Sequence, residues 1–405
     1  MAKKAKKTIC PADTGITLEG VFAFTPYAEG EETSHPASIY IDVKWAAMTS
    51  AEEPAVEVNT ADYANGVHEI KAMEDGKRTA LLELYFHNKK APQPSPAELR
   101  PLWNRMLGAP KQNQETRELR PALIKTLEGD GFTAKLLRQI NGPATWQRVL
   151  IMYPKGATGP CPAVIAPFYN PNKMSRLNLE TGEDLLHENA ETIGYGRDLV
   201  ARGFVTIMSE TYHLTYIARP KNDQDLNDFT RWRRASAKLN EEEPGWTGVG
   251  KLVSDTRLLI DLLEADPMVD ASRIGIIGHS LGGKISFYTG CLDERIKVIV
   301  SSDFGIGWEQ TNWSDPWYWG RKVAFLRAAN MDHSQLLAIA APKPFLLIAG
   351  NYDNDGANAF FAAAKPYYDA HGAFGNLRLL NHATGHRPTP EATEAAYQFL
   401  QEFLM

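Results

Sequence analysis

From residue 97 onward, short apolar runs alternate with stretches of helical period, and this alternation constrains the chain more than any other feature. The runs are Val149 to Tyr153, Ala163 to Pro167, Phe204 to Met208, Ile274 to Gly278, Lys297 to Val300 and Phe345 to Ala349. Between them lie expected helices at Thr192 to Arg202, Leu252 to Glu264, Leu281 to Leu292, Asn358 to His371 and Thr389 to Phe403. Strands apolar on both faces need cover on both sides, and consecutive parallel strands need a crossover. The pattern therefore predicts a doubly wound, mostly parallel α/β sheet. In such sheets ligands bind beyond the carboxyl ends of the strands.

Before residue 97 the texture differs. Ile16-Thr17-Leu18-Glu19, Ser38 to Trp45, Val56-Glu57-Val58, His68 to Ala72 and Leu81 to Phe86 have period two, with Asn65-Gly66 and Asp75-Gly76 as turn signals. Residues 8–90 are thus expected to close as a small all-β sandwich. Ala91-Pro92-Gln93-Pro94-Ser95-Pro96 reads as a stiff linker, because each proline fixes its own φ and restrains the residue before it. Residues 97–405 form the second expected domain. With 405 residues, 43% of them hydrophobic and 23% charged, two cores are affordable and disorder is not indicated.

The formal charge of −6, with basic residues dispersed apart from Lys3, Lys4, Lys6 and Lys7, gives no footprint for nucleic acid. No run of about eighteen apolar residues suggests a membrane span, and Thr8 to Asp13 lacks the apolar core of a signal peptide. The cytoplasm is the default expectation, with secretion the alternative. Cys10, Cys161 and Cys291 show no C-x-x-C spacing and read as free thiols. No metal or organic cofactor is expected.

The segment Arg273-Ile274-Gly275-Ile276-Ile277-Gly278-His279-Ser280-Leu281-Gly282-Gly283-Lys284 places G-x-S-x-G between an apolar strand and a helical run. A serine there sits on a sharp turn with its hydroxyl exposed, beside the free N–H groups of a helix start. Ser280 is the expected nucleophile; the plainer alternative is that it only caps the helix. A serine hydroxyl needs a base within hydrogen-bond reach and a carboxylate to orient that base. Gly350-Asn351-Tyr352-Asp353-Asn354-Asp355 follows a late strand and offers Asp353, or else Asp355. Thr384-Gly385-His386 offers His386 as base, with His382 its rival. The loop Ala166-Pro167-Phe168-Tyr169-Asn170-Pro171 should supply the Tyr169 N–H, or that of Phe168, to an oxyanion, with Leu281 N–H as the other donor.

Several motifs resemble one branch of a known superfamily. Gly194-Tyr195-Gly196-Arg197-Asp198-Leu199, Asp255-Thr256-Arg257, Asp270-Ala271-Ser272-Arg273-Ile274-Gly275, G-H-S-L-G-G-K and Ala341-Pro342-Lys343-Pro344 to Gly350 together resemble the dienelactone-hydrolase and acetyl xylan esterase branch of the α/β-hydrolases. The resemblance implies an α/β-hydrolase fold and a serine carboxylesterase with Ser280, Asp353 and His386 as its triad, and Leu281 and Tyr169 at its oxyanion. Leu281 and Arg387 depart from the acetyl xylan esterase pattern. Lys284 matches a lysine that glucuronoyl esterases use toward sugar hydroxyls. Val56 to Asn88 resembles bacterial immunoglobulin-like modules, which serve as spacers or bind sugar.

Trp308, Trp313, Trp317 and Trp319 are four of nine tryptophans and fall just after the run ending near Ser301. Flat aromatic faces suit sugars or aryl groups, with Glu309, Asn312 and Asp315 for hydrogen bonds; loop packing is the equal alternative. Tyr212 to Gly250, charged and irregular, is a candidate lid carrying Trp232, Arg233 and Arg234. The expected activity is hydrolysis of a small-molecule or carbohydrate ester, such as an acetyl, feruloyl or glucuronoyl ester. The alternatives are a serine peptidase on the same fold and a non-catalytic sugar-binding homologue.

Overall fold

The computed structural model describes residues 8–10, 13, 15–27, 36–42, 44–50, 52–63, 66–75, 77–86, 94–110, 121–142, 145–185, 193–218, 228–354 and 356–405. Asp355, the basic start and residues 91–93 of the expected linker lie outside these. The chain divides into two compact units, residues 1–102 with 321–332 and residues 103–320 with 333–405.

The smaller unit has two sheets. Strands β1 (Thr8–Ile9), β3 (Val21–Phe24) and β6 (Val56–Asn59) make one; β2 (Thr17–Leu18), β4 (Ser38–Ile41), β5 (Lys44–Met48), β7 (Gly66–Glu74) and β8 (Lys77–Phe86) make the other. Alternate residues such as Phe22, Phe24, Ile39, Ile41, Ile70, Leu82 and Leu84 share one core. The expected single strand from Ser38 to Trp45 is instead a hairpin. Asp42 turns the chain at φ 56°, a conformation its carboxylate stabilises by accepting from Glu69 N–H at 3.0 Å and meeting His68 Nδ1 at 2.9 Å. The sequence reading also missed that residues 321–332, with their helix Lys322–Ala328 (α7 in chain order), belong here. Thr17 donates its hydroxyl to the carbonyl of Ala328 at 2.7 Å.

Helix α1 (Pro96–Leu107) begins with proline at its first position, where a missing N–H costs nothing, and Ser95 and Glu98 form a capping box across its start. The linker thus ends as the start of a helix, and the division between the units falls inside α1.

The larger unit is built on nine strands: β9 (Ala122–Gly129), β10 (Phe132–Gly142), β11 (Thr145–Pro154), β12 (Cys161–Ile165), β13 (Val205–Ser209), β14 (Val269–His279), β15 (Ile296–Ser302), β16 (Phe345–Ala349) and β17 (Leu377–Asn381). Their order is β17-β16-β15-β14-β12-β13-β11-β10-β9. From β13 to β17 all pairings are parallel, whereas β9, β10 and β11 add an antiparallel flank. The helices are α2 (Pro171–Ser175), α3 (Tyr195–Val200), α4 (Phe229–Glu242), α5 (Gly248–Ala265), α6 (Leu281–Leu292), α8 (His333–Ala340), α9 (Ala357–Ala370) and α10 (Pro390–Leu404). Each expected apolar run lies in or overlaps a strand and each expected helix overlaps an observed one. The sheet's central strands are buried on both faces, as β13 and β16 show throughout their length. Among the described residues no helix is long and apolar enough to cross a membrane.

Candidate active site at the carboxyl edge of the sheet

Parallel strands deliver their carboxyl ends to one edge, and the reactive residues collect there. β14 ends at His279 and α6 begins at Leu281, so Ser280 alone makes the turn, at φ 56° and ψ −114°. A side chain at such dihedrals is strained, and the strain persists because its surroundings enforce it. Ser280 N–H donates to Ser302 O at 2.8 Å, and Gly278 packs so tightly that a Cβ there would strike Gly282 and come within 2.6 Å of Ser286 Oγ. Glycine at both flanking positions is what the elbow requires.

Ser280 Oγ lies 2.8 Å from His386 Nε2. His386 sits on the loop between β17 and α10, well apart from Ser280 in sequence. Its pKa is lowered, first by burial and then by the charges of Lys284 and Arg387, which keeps the ring neutral and able to accept a proton.

The structure does not bring Asp353 to His386. Its carboxylate is fully buried and accepts from the N–H groups of Gly305 (3.1 Å) and Ile306 (2.5 Å), while its carbonyl accepts from Gln310 at 2.9 Å. The turn after β15 aims those two N–H groups at it, one to each carboxylate oxygen. Burial pushes this carboxyl up to about 6, against the pull of the two N–H groups.

The carboxylate that does meet a histidine is Asp303, directly after β15. Its Oδ1 lies 3.0 Å from His382 Nε2, and its Oδ2 accepts from Ser302 Oγ at 2.7 Å. Having spent its one hydrogen there, Ser302 Oγ must accept from His279 Nδ1, 3.3 Å away. His279 is thus a neutral Nδ1–H tautomer, in keeping with burial holding its pKa well below the usual value. His382, the rival base, has its other nitrogen 2.6 Å from Thr384 Oγ1. The two histidines of the loop therefore divide: His386 faces the serine, His382 the acid. Asp303 and Ala383 both adopt positive φ, 49° and 54°, so three such residues, with Ser280, crowd this edge. Gly350, ending β16, leaves the room this needs, since a Cβ there would strike Asp303 Oδ1 and lie 2.5 Å from Gly385 O and 2.8 Å from His382 Cε1. The rule that chose Asp353, an acid just past a strand end, applies equally to Asp303 and could have found it.

Leu281 opens α6, where its N–H has no acceptor within the helix. The loop after β12 runs beside it: a Cβ on Gly282 would strike Pro167 O and lie 3.5 Å from a Phe168 ring carbon. Tyr169 follows, its carbonyl held by Thr211 N–H (3.3 Å) and hydroxyl (2.9 Å).

Lys284, one turn after Ser280, points away from solvent. Its ammonium donates to Phe304 O (3.1 Å), Asn312 Oδ1 (3.2 Å) and Thr311 Oγ1 (3.4 Å) and faces the rings of Trp313 and Tyr318. Burial lowers its pKa to about 7. Here it ties α6 to the 304–312 loop. Trp313, Trp317 and Trp319 are buried; Trp313 gives its N–H to Gly305 O at 2.7 Å, and Trp317 stacks on Phe229. Only Trp308 of the four keeps a partly exposed face, lying against His333 with ring centroids 4.1 Å apart. Of the two readings left open for this cluster, sugar contact and loop packing, burial of Trp313, Trp317 and Trp319 favours packing. Trp232, in the expected lid, is also fully buried. Among the described residues no group of three or more His, Cys, Asp or Glu side chains is arranged to hold a metal.

No family model matches this chain. YtaP of Bacillus subtilis (strain 168), which carries a hydrolase name, is 25% identical over 301 residues, covering 70% of this chain and 94% of that one. The 4-O-methyl-glucuronoyl methylesterase 1 of Sodiomyces alcalophilus is 28% identical over 149 residues, 29% of this chain and 30% of that one. Among solved structures, a glucuronoyl esterase from Solibacter usitatus superposes with a TM-score of 0.58 at 18% identity, covering 76% of this chain and 91% of that chain. The mixed α/β architecture with its large, mostly parallel sheet is therefore one this chain shares with a solved esterase.

Proposed function

We propose that the larger unit is an α/β-hydrolase that cleaves carboxylic esters carried on carbohydrate, through an acyl-enzyme on Ser280. The 2.8 Å approach of His386 Nε2 to Ser280 Oγ, on a strained strand-to-helix turn, carries this reading. The names of two of these relatives, which specify glucuronoyl esters, support the carbohydrate part. His386 takes the serine proton as Oγ bonds to the acyl carbon. The oxyanion rests between Leu281 N–H and Tyr169 N–H, and the alcohol leaves with the proton from His386. Water then repeats the sequence and frees the acid. In place of Asp353, we assign Asp303 to this machinery, acting through His382 to hold the loop that presents His386. Lys284 supplies a positive charge that keeps His386 neutral at rest. We further assign the smaller unit to the immunoglobulin-like class on its strand pattern and two-sheet core.

The test is a panel of acetyl, feruloyl and methyl-glucuronate esters, with peptide anilides alongside, assayed on wild type and Ser280→Ala. Hydrolysis of at least one sugar-linked ester, reduced roughly 10⁴-fold or more by Ser280→Ala with unfolding temperature unchanged, is expected. Retained turnover in Ser280→Ala refutes the nucleophile. Cleavage of anilides alone would favour a peptidase.

A further inference from the structure

We propose that Thr211 and His213 are positioning residues for the oxyanion loop and that helix α4 holds them in place; this rests on the reading of Tyr169 N–H as an oxyanion donor.

Thr211 follows β13 and donates twice to the Tyr169 carbonyl, from N–H at 3.3 Å and from Oγ1 at 2.9 Å. A threonine hydroxyl has a single hydrogen, which this second bond uses. The 2.9 Å contact between Thr211 Oγ1 and His213 Nδ1 must then be an N–H donated by the imidazole. The hydrogen bonds run one way, from His213 through Thr211 to the Tyr169 carbonyl, and each polarises the next. That carbonyl belongs to the same residue whose N–H is to meet the oxyanion. On its far side, Asn170 caps α2 by accepting from Asn172 N–H at 3.1 Å. The Tyr169 main chain is thus held directly by the relay and flanked by a cap.

The imidazole has its own support. Trp232 of α4 stacks on it with centroids 4.2 Å apart and planes 8° from parallel, and meets the Tyr169 ring edge-on at 6.0 Å. Trp232 also packs edge-on against Tyr212 at 5.0 Å. His213 and Trp232 are fully buried and Thr211 nearly so. Burying a polar relay is costly unless every bond is made, and an apolar pair would fill this space without fixing any direction. What the polar pair adds is orientation of the Tyr169–Asn170 peptide, which shares its Cα with the N–H assigned to the oxyanion. The consequence is that α4, within the charged segment expected as a lid, takes part in setting the oxyanion site: with α4 docked the relay is rigid, and without its stack the imidazole is free to turn.

The test measures kcat and KM for p-nitrophenyl acetate, inhibition by a trifluoromethyl ketone whose hemiketal with Ser280 carries an oxyanion that needs the donors, inhibition by the corresponding secondary alcohol, which forms no oxyanion, and unfolding temperature. Thr211→Val should lower kcat and ketone affinity together by about tenfold, below the hundredfold or more expected for loss of a donor itself, with KM and inhibition by the alcohol unchanged. Thr211→Ser should restore both. Should Thr211→Val fold poorly, Trp232→Leu is expected to show the same kcat loss and Trp232→Phe near wild-type turnover. Wild-type kcat and ketone affinity in Thr211→Val overturns the proposal, as does equal loss in the Val and Ser variants in proportion to lost stability. If wild type itself gains no affinity from the ketone over the corresponding alcohol, or Ser280→Ala still turns over, the oxyanion reading fails first and takes this inference with it.

Discussion

Asp303 and Asp353 follow neighbouring parallel strands, β15 and β16, and both are fully buried, yet their partners differ in kind. Asp353 binds main-chain N–H groups and shapes a loop; Asp303 binds a hydroxyl and an imidazole beside the nucleophile. The comparison teaches that a place at a strand end does not assign an acid its task. The donors within reach do so, and they depend on how the next turn winds.

The largest way to break this contrast is to neutralise each acid in turn. Asp303→Asn cannot satisfy both Ser302 and His382 as two acceptor oxygens do, and should lower kcat about a hundredfold, less than the ~10⁴ seen when a triad aspartate contacts its base directly. Asp353→Asn should cost less than tenfold in kcat, because it touches neither histidine. Steady-state kinetics on one ester decides between them, and the reverse ranking would restore Asp353 to the triad. Next in size, Gly350→Ala drives a methyl between Asp303 and the His382 loop. We expect kcat to fall about tenfold with KM held, in line with the sensitivity of catalysis to ångström misplacements; unchanged kcat would mean the loop yields freely.

Stability gives a third comparison. With its folded pKa near 6 against an unfolded value of about 3.9, Asp353 binds its proton more tightly when folded. Its contribution is then complete below about pH 4 and is lost as pH rises through 6, by on the order of 3 kcal/mol. Denaturant midpoints of wild type relative to Asp353→Asn should fall across that window; a flat difference would show that the two N–H donors fully offset burial. The smallest effect concerns the base. The acid limb of kcat/KM should lie below the nominal imidazole pKa of about 6.5, since burial, Lys284 and Arg387 all disfavour the cation. Lys284→Gln should move that limb upward by a fraction of a unit, measured in a pH-rate profile, and a downward shift would contradict the electrostatic role.

Much of the molecule was legible in residue order. Parallel strands and their helices announce themselves because burial on both faces demands continuous apolar runs, and Ser280 because only glycine tolerates the packing on either side of it. His386 followed from its place between the last strand and the last helix. Asp303 was not singled out, because which of two strand-end acids meets a histidine depends on the positive φ at 303 and on where Gly305 and Ile306 direct their N–H groups. The tryptophans stayed open between sugar contact and loop packing for a related reason: composition tells how much aromatic surface exists, whereas the partners of Trp313, Lys284 and Gly305 O, are brought to it only by the fold. The hairpin at Asp42 was hidden by a sequence whose period two continues through the bend.

The two-part make-up of the smaller unit has a consequence for how the protein is made. A ribosome releases residues 1–102 long before Arg321 to Asp332 exist, so the strands wait without the helix whose Phe325 ring lies 3.3 Å from where a side chain on Gly15 would begin. The N-terminal segment can complete its packing only once residue 332 has been made, and a fragment ending at the linker would be missing one of its own pieces.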